Sequence, residues 1–369
     1  MAGGPAMSQP RPGRRLLRAA VAVGVLLGTV VLAPRGSSLV ASPAPQPAPA
    51  PAGAPAEEAT TNTLGSRGPD GAEVENPTAA ELSSRPSLRT TLVRDKVMSY
   101  CANGSLDDPP SRVRRVVLVI HGNDRQPCGM ASSVLAGASR EQRRTTLVIA
   151  PRFANLEDQV DRDKQLYWTF YGWSQGDDSV NPGTQLSSYA VLDEFARRLA
   201  PRPLVVAGFS GGGQFVNRYA AGSANEPLRF VIANPSSYLY FNRARPGTSP
   251  AELERCPGFN DYRYGLDRLN RYMSQTGAPG LSARYGRRQI VYLLGTEDRD
   301  PRSSSMDKSC GANAQGPNRL DRGKRYWAYL PTVFGEEITK RQRLHLVPGV
   351  AHDPVGMFGA IPAQQALFD

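Results

Sequence analysis

Six short runs of this chain are almost unbroken in Val, Ile, Leu and Ala, and each gives way to turn residues. They are RRVVLVIHG (ending at Gly122), RTTLVIAPRF (ending at Phe153), RPLVVAGFS (ending at Ser210), LRFVIANPSS (ending at Ser237), RQIVYLLGTED (ending at Asp298) and RLHLVPGVAH (ending at His352). Runs of this length and composition read as strands buried on both faces. Helical spacing lies between them. In SSYAVLDEFARRLA the residues Tyr189, Leu192, Phe195 and Leu199 recur every three or four positions, and GGQFVNRYAAGS follows Ser210 directly. Strands alternating with helices predict an α/β fold, a mostly parallel sheet with helices on both faces. In such sheets ligands bind beyond the carboxyl ends of the strands. That is where His121-Gly122, Ser210, Glu297-Asp298 and His352 fall. The stretch 241–288, with Cys256 and several tyrosines, interrupts the alternation and reads as a cap-like insertion over that end.

The N-terminal part follows different rules. Residues 1–18 carry Arg11, Arg14, Arg15 and Arg18 and no acid, and residues 19–34 carry no charge. A basic stretch before a short apolar one is the pattern of an export signal, so residues 1–41 read as a signal peptide or, uncleaved, as a membrane anchor. Residues 42–89, which include ASPAPQPAPAPAGAPA, are too rich in Pro and Ala to bury a core and read as a linker. The folded domain is then 90–369. The four cysteines, Cys101, Cys128, Cys256 and Cys310, fit disulfides behind an export signal. Pairing Cys101 with Cys128 and Cys256 with Cys310 makes each pair flank one loop region of the expected fold. With three histidines in 369 residues and no ligand spacing, no metal centre is expected. The formal charge of +11 comes from scattered arginines without a nucleic-acid-binding motif, so no nucleic-acid partner is expected.

The glycine-rich turn around Ser210 admits two chemistries. A phosphate-binding loop of the G-x-x-x-x-G-K-[ST] type requires a lysine, which is missing, and the spacing does not fit G-x-G-x-x-G. Gly208-Phe209-Ser210-Gly211-Gly212 does fit G-x-S-x-G, in which small neighbours let a helix turn back close to its strand and expose the serine. A serine hydroxyl needs a general base held by an acid. His345 alternates with Leu344 and Leu346 within a strand and reads as structural. His121 precedes the serine and reads as part of the loop beside it. His352 stands on a late loop. Glu297, Asp298 and Asp300 each supply an acid after the fifth run, whereas Asp353 adjoins His352 too closely to reach its ring nitrogen.

These motifs together, HGN at residues 121–123, GFSGG at 208–212, G-x-x-D at 295–298 and the late His352, resemble the α/β-hydrolase superfamily over residues 113–353. The look is nearest to secreted bacterial esterases and polyester-depolymerase-like serine hydrolases. The resemblance implies Ser210 as nucleophile, His352 as base, Asp298 as acid, and an oxyanion hole from the N–H groups of Gly211 and Asn123. It implies an exported serine hydrolase that cleaves carboxylic esters, with no cofactor and with an ester-bearing small molecule, lipid or polymer as partner. A peptidase or an envelope-lipid acyltransferase shares the same residues, and a noncatalytic surface-tethered binding protein is the rival outside enzymology. Trp168, Tyr171 and Trp173 in QLYWTFYGWSQGDD are expected either to line the substrate site or to pack the cap-like insertion onto the domain.

Overall fold

The computed structural model of the chain describes residues 82–369. The expected leader and apolar run at 1–41, and the Pro/Ala-rich stretch as far as residue 81, lie outside the described residues. Eight strands form one sheet in the order β1-β2-β4-β3-β5-β6-β7-β8. They are β1 (Ser87–Val93), β2 (Lys96–Ala102), β3 (Arg115–Ile120), β4 (Thr146–Pro151), β5 (Leu204–Phe209), β6 (Arg229–Ala233), β7 (Ile290–Gly295) and β8 (Gln342–Val347). The six apolar runs become β3 to β8, all parallel. A hairpin adds β1 and β2, with β2 antiparallel to β4. The strand β1 therefore begins ahead of the boundary read at residue 90.

The central strands β3 to β7 are buried on both faces, which is why they are apolar almost throughout. Within β3, Val116, Leu118 and Ile120 pack into one core cluster, while Val117 and Val119 pack into the other. The helices Pro127–Ala136, Pro354–Gly359 and Ile361–Phe368 cover the second face with Met130, Val134, Phe358 and Leu367. The first face is covered by Ser188–Leu199, Gly211–Gly222, Gly277–Tyr285 and Arg319–Phe334 through Tyr189, Phe195, Phe215, Leu281 and Tyr326. The Ser188–Leu199 helix starts where the Ser187 hydroxyl accepts the Tyr189 N–H, and it stops before Pro201, which disfavours helical backbone at Ala200.

The insertion read at 241–288 divides in two. Its last part is the Gly277–Tyr285 helix, whose Leu281 and Tyr285 are fully buried on the sheet, so it is an ordinary crossover between β6 and β7. The earlier part reaches the carboxyl ends of the strands. There the Tyr262 hydroxyl donates to the Gln175 carbonyl, and the Asn270 amide donates to Asp177 Oδ1 at 3.0 Å. Because β4 lies on one side of β3 and β5 on the other, the chain's progression reverses there. That opens a crevice above their carboxyl ends. His345 is half-buried on the outermost strand, β8, remote from this reversal in strand order.

The cysteines pair as Cys101–Cys128 and Cys256–Cys310, closing spans of 27 and 54 residues. The first ties β2 to the start of the Pro127–Ala136 helix, and the second ties the insertion to the loop ahead of Arg319–Phe334. Among the described residues no helix is long and apolar enough to cross a membrane. Replacing either pair by alanines is expected to lower unfolding stability by about 2–4 kcal/mol. Denaturant titration of the two double variants beside the parent checks this, and a change below the titration's error would contradict it.

Candidate active site

Ser210 occupies the turn between β5 and the Gly211–Gly222 helix with φ 56° and ψ −116°. This backbone is rarely adopted by a residue with a side chain, and holding it costs about 1–3 kcal/mol. The glycines on either side explain how the turn closes. A Cβ on Gly208 would run into the Gly212 carbonyl, and one on Gly212 would run into the Ile120 carbonyl. The helix can therefore rise from the strand end only with glycine at both positions. As a result the Ser210 hydroxyl stands at the head of a helix whose first N–H groups are unpaired and favour negative charge.

His352 follows β8 on the loop before the Pro354–Gly359 helix. Its Nε2 lies 2.9 Å from Ser210 Oγ, and its Nδ1 lies 2.7 Å from Asp298 Oδ2. Of the three acids after β7, Asp298 points inward and is 4 % exposed. Glu297 and Asp300 face solvent, where they meet Arg299 and Arg302. Asp353 is also accounted for: its carboxylate caps the next helix by accepting the N–H groups of Val355 and Gly356.

The second oxygen of Asp298 carries a partner that no sequence pattern marks. Arg319, 1 % exposed, donates from Nη1 to Asp298 Oδ1 at 3.2 Å and from Nη2 to Ser305 Oγ at 2.8 Å. Burial lowers the Arg319 guanidinium from its ordinary value, while Asp298 pulls it back up. The Asp298 carboxylate thus lies between an imidazole and a buried cation.

Across the crevice, the loop after β3 places Asn123 beside Gly211. A Cβ on Gly211 would meet the Asn123 side chain and the Trp173 ring. Among the described residues, neither the Asn123 N–H nor the Gly211 N–H has a hydrogen-bond acceptor. Two further contacts hold this loop. Arg125 donates from Nη1 to the Asn123 carbonyl at 2.6 Å, and its Nε is tied to Asp158 at 2.7 Å. His121 is fully buried beneath it. Its Nε2 accepts the Phe153 N–H at 2.9 Å, so the proton sits on Nδ1 and is donated to the Gly122 carbonyl at 2.8 Å. Burial pushes this imidazole down to about 4, with the Gly122 hydrogen bond opposing the shift. His121 is therefore a neutral prop of the loop, as expected from its place in the sequence.

Two depressions of about 200 Å³ each adjoin beside Ser210, which lines one of them. One is lined by Met130, Phe209, Ser210, His352 and Pro354. The other is lined by Phe170, Tyr171, Gln214, Ser236, Met306 and Asp307, and Asn123 and Ser305 belong to both. Burial works to raise the Asp307 carboxyl, but Arg263, Ser309 and Tyr264 outweigh it and hold it below the usual range. Of the three aromatic residues expected to meet substrate, Tyr171 lines the cleft, with Arg263 over its ring. Trp168 and Trp173 do not. Trp168 is buried, packs edge-on to Phe153 and donates its indole N–H to the Asp177 carbonyl. Trp173 is buried against His121 at 4.8 Å, so it supports the loop bearing Asn123 from within. Phe170, from the same aromatic stretch, lines the cleft as well, while Gln214, Ser236, Ser305 and Asp307 went unread in the sequence. Of these only Gln214, one helical turn beyond Ser210, carries a positional signal.

No family model matches the chain, and no curated protein matches it in sequence. Solved structures do. Poly(aspartic acid) hydrolase-1 from Sphingomonas sp. KT-1 is 21% identical with a TM-score of 0.56, over 78% of this chain and 100% of that one. A poly(3-hydroxybutyrate) depolymerase from Bordetella parapertussis is 19% identical with a TM-score of 0.53, over 74% of this chain and 86% of that one. The fold is the α/β-hydrolase fold, as its motifs imply.

Two outcomes follow from the buried charges. Arg319→Met leaves the Asp298 carboxylate buried without its cation and is expected to destabilise the protein by about 3–5 kcal/mol. A denaturant midpoint unchanged from the parent would refute it. His121 is neutral in the fold, while the unfolded chain protonates it near the ordinary value of 6.5. The unfolded state therefore binds more protons between about pH 6.5 and 4. Stability falls by about 3 kcal/mol as the pH drops through that window, with no further loss from this group below it. Urea titrations at pH 7, 5.5 and 4, with His121→Asn flattening the dependence, check this.

Proposed function

We propose that this chain is an exported serine hydrolase that cleaves carboxylic esters through an acyl-enzyme. The observation that carries the reading is the unbroken line Ser210 Oγ–His352 Nε2–His352 Nδ1–Asp298 Oδ2, at 2.9 and 2.7 Å. In this reading His352 takes the Ser210 proton as Oγ attacks the carbonyl carbon, and Asp298 keeps Nδ1 protonated and stabilises the imidazolium. The negative charge forming on the carbonyl oxygen is received by the N–H groups of Gly211 and Asn123, which make no bond of their own among the described residues. His352 then returns the proton to the leaving alcohol. Water repeats the sequence on the acyl-enzyme and releases the acid.

The leaving group belongs in the depression that contains His352, because the imidazole must reach the departing oxygen. The acyl group then takes the depression walled by Tyr171, Gln214 and Asp307. Each is smaller than the ~300–1,000 Å³ typical of drug-sized ligand sites. That favours short segments on both sides of the ester, such as a small ester or one repeating unit of a polyester. The similarity in fold to a poly(3-hydroxybutyrate) depolymerase is in keeping with the polymer reading. Export is supported by the two disulfides and by the basic-then-apolar N-terminus.

A fluorophosphonate probe and a series of p-nitrophenyl esters of rising acyl length test the reading. Wild-type protein is expected to be labelled and to prefer short acyl groups. Ser210→Ala should lose labelling and at least ~10³-fold in kcat/KM. Asp298→Asn should lose about 10⁴-fold, with Glu297→Gln within twofold of wild type. Equal labelling of wild type and Ser210→Ala would remove Ser210 as the nucleophile. Turnover of peptides in place of esters, or of acyl transfer to an added alcohol in preference to water, would move the protein to the neighbouring chemistries.

A further inference from the structure

The end of β6 touches all three turns that carry Ser210, Asp298 and His352. The Ala233 carbonyl accepts the Ser210 N–H at 2.9 Å. The next residue, Asn234, donates its own N–H to the Leu293 carbonyl of β7 at 3.1 Å. Its side chain then reaches two loops at once. Oδ1 accepts the Gly295 N–H at 2.9 Å, at the head of the turn to Asp298. Nδ2 donates to the Ala351 carbonyl at 3.2 Å, one residue before His352. Asn234 is 1 % exposed, lies outside the lining of both depressions and touches no reacting atom.

We propose that Asn234 is a positioning residue, setting the acid-bearing and histidine-bearing loops in register with the serine strand. The inference rests on the serine-hydrolase reading above. Its physical basis is the amide, which presents an acceptor and a donor at one buried point, as an aspartate or an aliphatic residue does not. The backbone there also suits asparagine: φ is 44°, in the left-handed region that asparagine tolerates better than most residues. The two loops hold to each other without Asn234, through Glu297 N–H to the Val350 carbonyl at 2.9 Å and Thr296 N–H to the Val347 carbonyl at 3.0 Å. What Asn234 adds is their registration to β6, and through Ala233 to Ser210. Its loss therefore acts on the alignment of the reacting groups more than on the existence of the fold.

The test compares Asn234→Asp, which keeps the acceptor for Gly295 but turns a carboxylate oxygen toward the Ala351 carbonyl, with Asn234→Gly, which keeps the left-handed backbone and loses both bonds. Both are measured by p-nitrophenyl ester kinetics normalised to active sites, fluorophosphonate labelling rate, thermal midpoint, and the downfield proton NMR resonance of the Asp298–His352 hydrogen bond. A displacement of about 1 Å at a reacting group is worth up to ~10²-fold in rate. The expected result is a roughly 10- to 100-fold loss in kcat and labelling rate. KM should stay within about twofold, as P-nitrophenyl substrate contacts are untouched, and the downfield resonance should shift or broaden. Variants that lower the thermal midpoint while kcat per active site and the resonance stay at wild type would overturn the proposal, leaving Asn234 a structural residue. Labelled wild type with both variants labelled at the wild-type rate would overturn this inference alone. Unlabelled wild type would overturn the serine-hydrolase reading and this inference together.

Discussion

The close approach of the Gly211–Gly222 helix to the end of β3 is the contact on which the rest of the site depends. Gly212 sits against the Ile120 carbonyl with no room for a Cβ, and Gly208 sits in the same way against the Gly212 carbonyl. This packing forces the Ser210 backbone into its positive-φ conformation, at a cost of about 1–3 kcal/mol. The cost is met by burial, since every residue of that helix is buried between the sheet and the surrounding segments. A helix packed so completely cannot relax away from the strand to relieve one residue. The strain is thus an outcome of core packing, and its effect is to place a hydroxyl and two free N–H groups around one point.

Charge is distributed around that point with similar economy. Asp298 offers one oxygen to His352 and the other to Arg319, both at hydrogen-bonding distance. The carboxylate is 4 % exposed, so both of its oxygens depend on these two partners for their hydrogen bonds. On the other side of the cleft the polarity is reversed. His121 is held neutral by burial, so the loop bearing Asn123 is propped from beneath by an uncharged ring, and the cation beside it, Arg125, is paired with Asp158.

How much of this was legible in the sequence depended on whether a residue's role is local. The strands β3 to β7 are nearly continuous apolar runs because both faces are buried, and that signal survives in composition alone. In β1 the sequence SLRTTLV is mostly exposed, so the edge hairpin left no apolar run to read. The positions of Ser210 and His352 were legible because each lies past a strand end in a turn with glycine nearby, where backbone geometry restricts residue type, whereas the residues alone left Glu297, Asp298 and Asp300 open and the fold turns Asp298 inward. Arg319 was not, since it lies inside an otherwise ordinary amphipathic helix and meets Asp298 only through the tertiary fold. Trp168 and Trp173 were misplaced for a related reason. Their segment has a short 3₁₀ turn and no periodicity, so nothing in it separates the inward rings from the outward Tyr171.

The sheet positions Ser210, Asp298 and His352, but the wall of the depression lined by Tyr171, Gln214 and Asp307 comes from outside it. Asp307 accepts from Arg263, the Tyr264 hydroxyl and Ser309, and the same segment is tied to the insertion by Cys256–Cys310. Arg263 in turn lies over the Tyr171 ring, joining the insertion to the loop after β4. This wall is a cross-linked, hydrogen-bonded structure, and burial has already satisfied its charges internally. A carboxylate so fully paired has little left to offer a cationic substrate. The hydrogen-bonding capacity that remains at this side is that of Gln214, Ser236 and Ser305, and the exposed faces of Phe170 and Tyr171 supply apolar surface. Those features can vary with the insertion while the arrangement carried by the sheet stays unchanged.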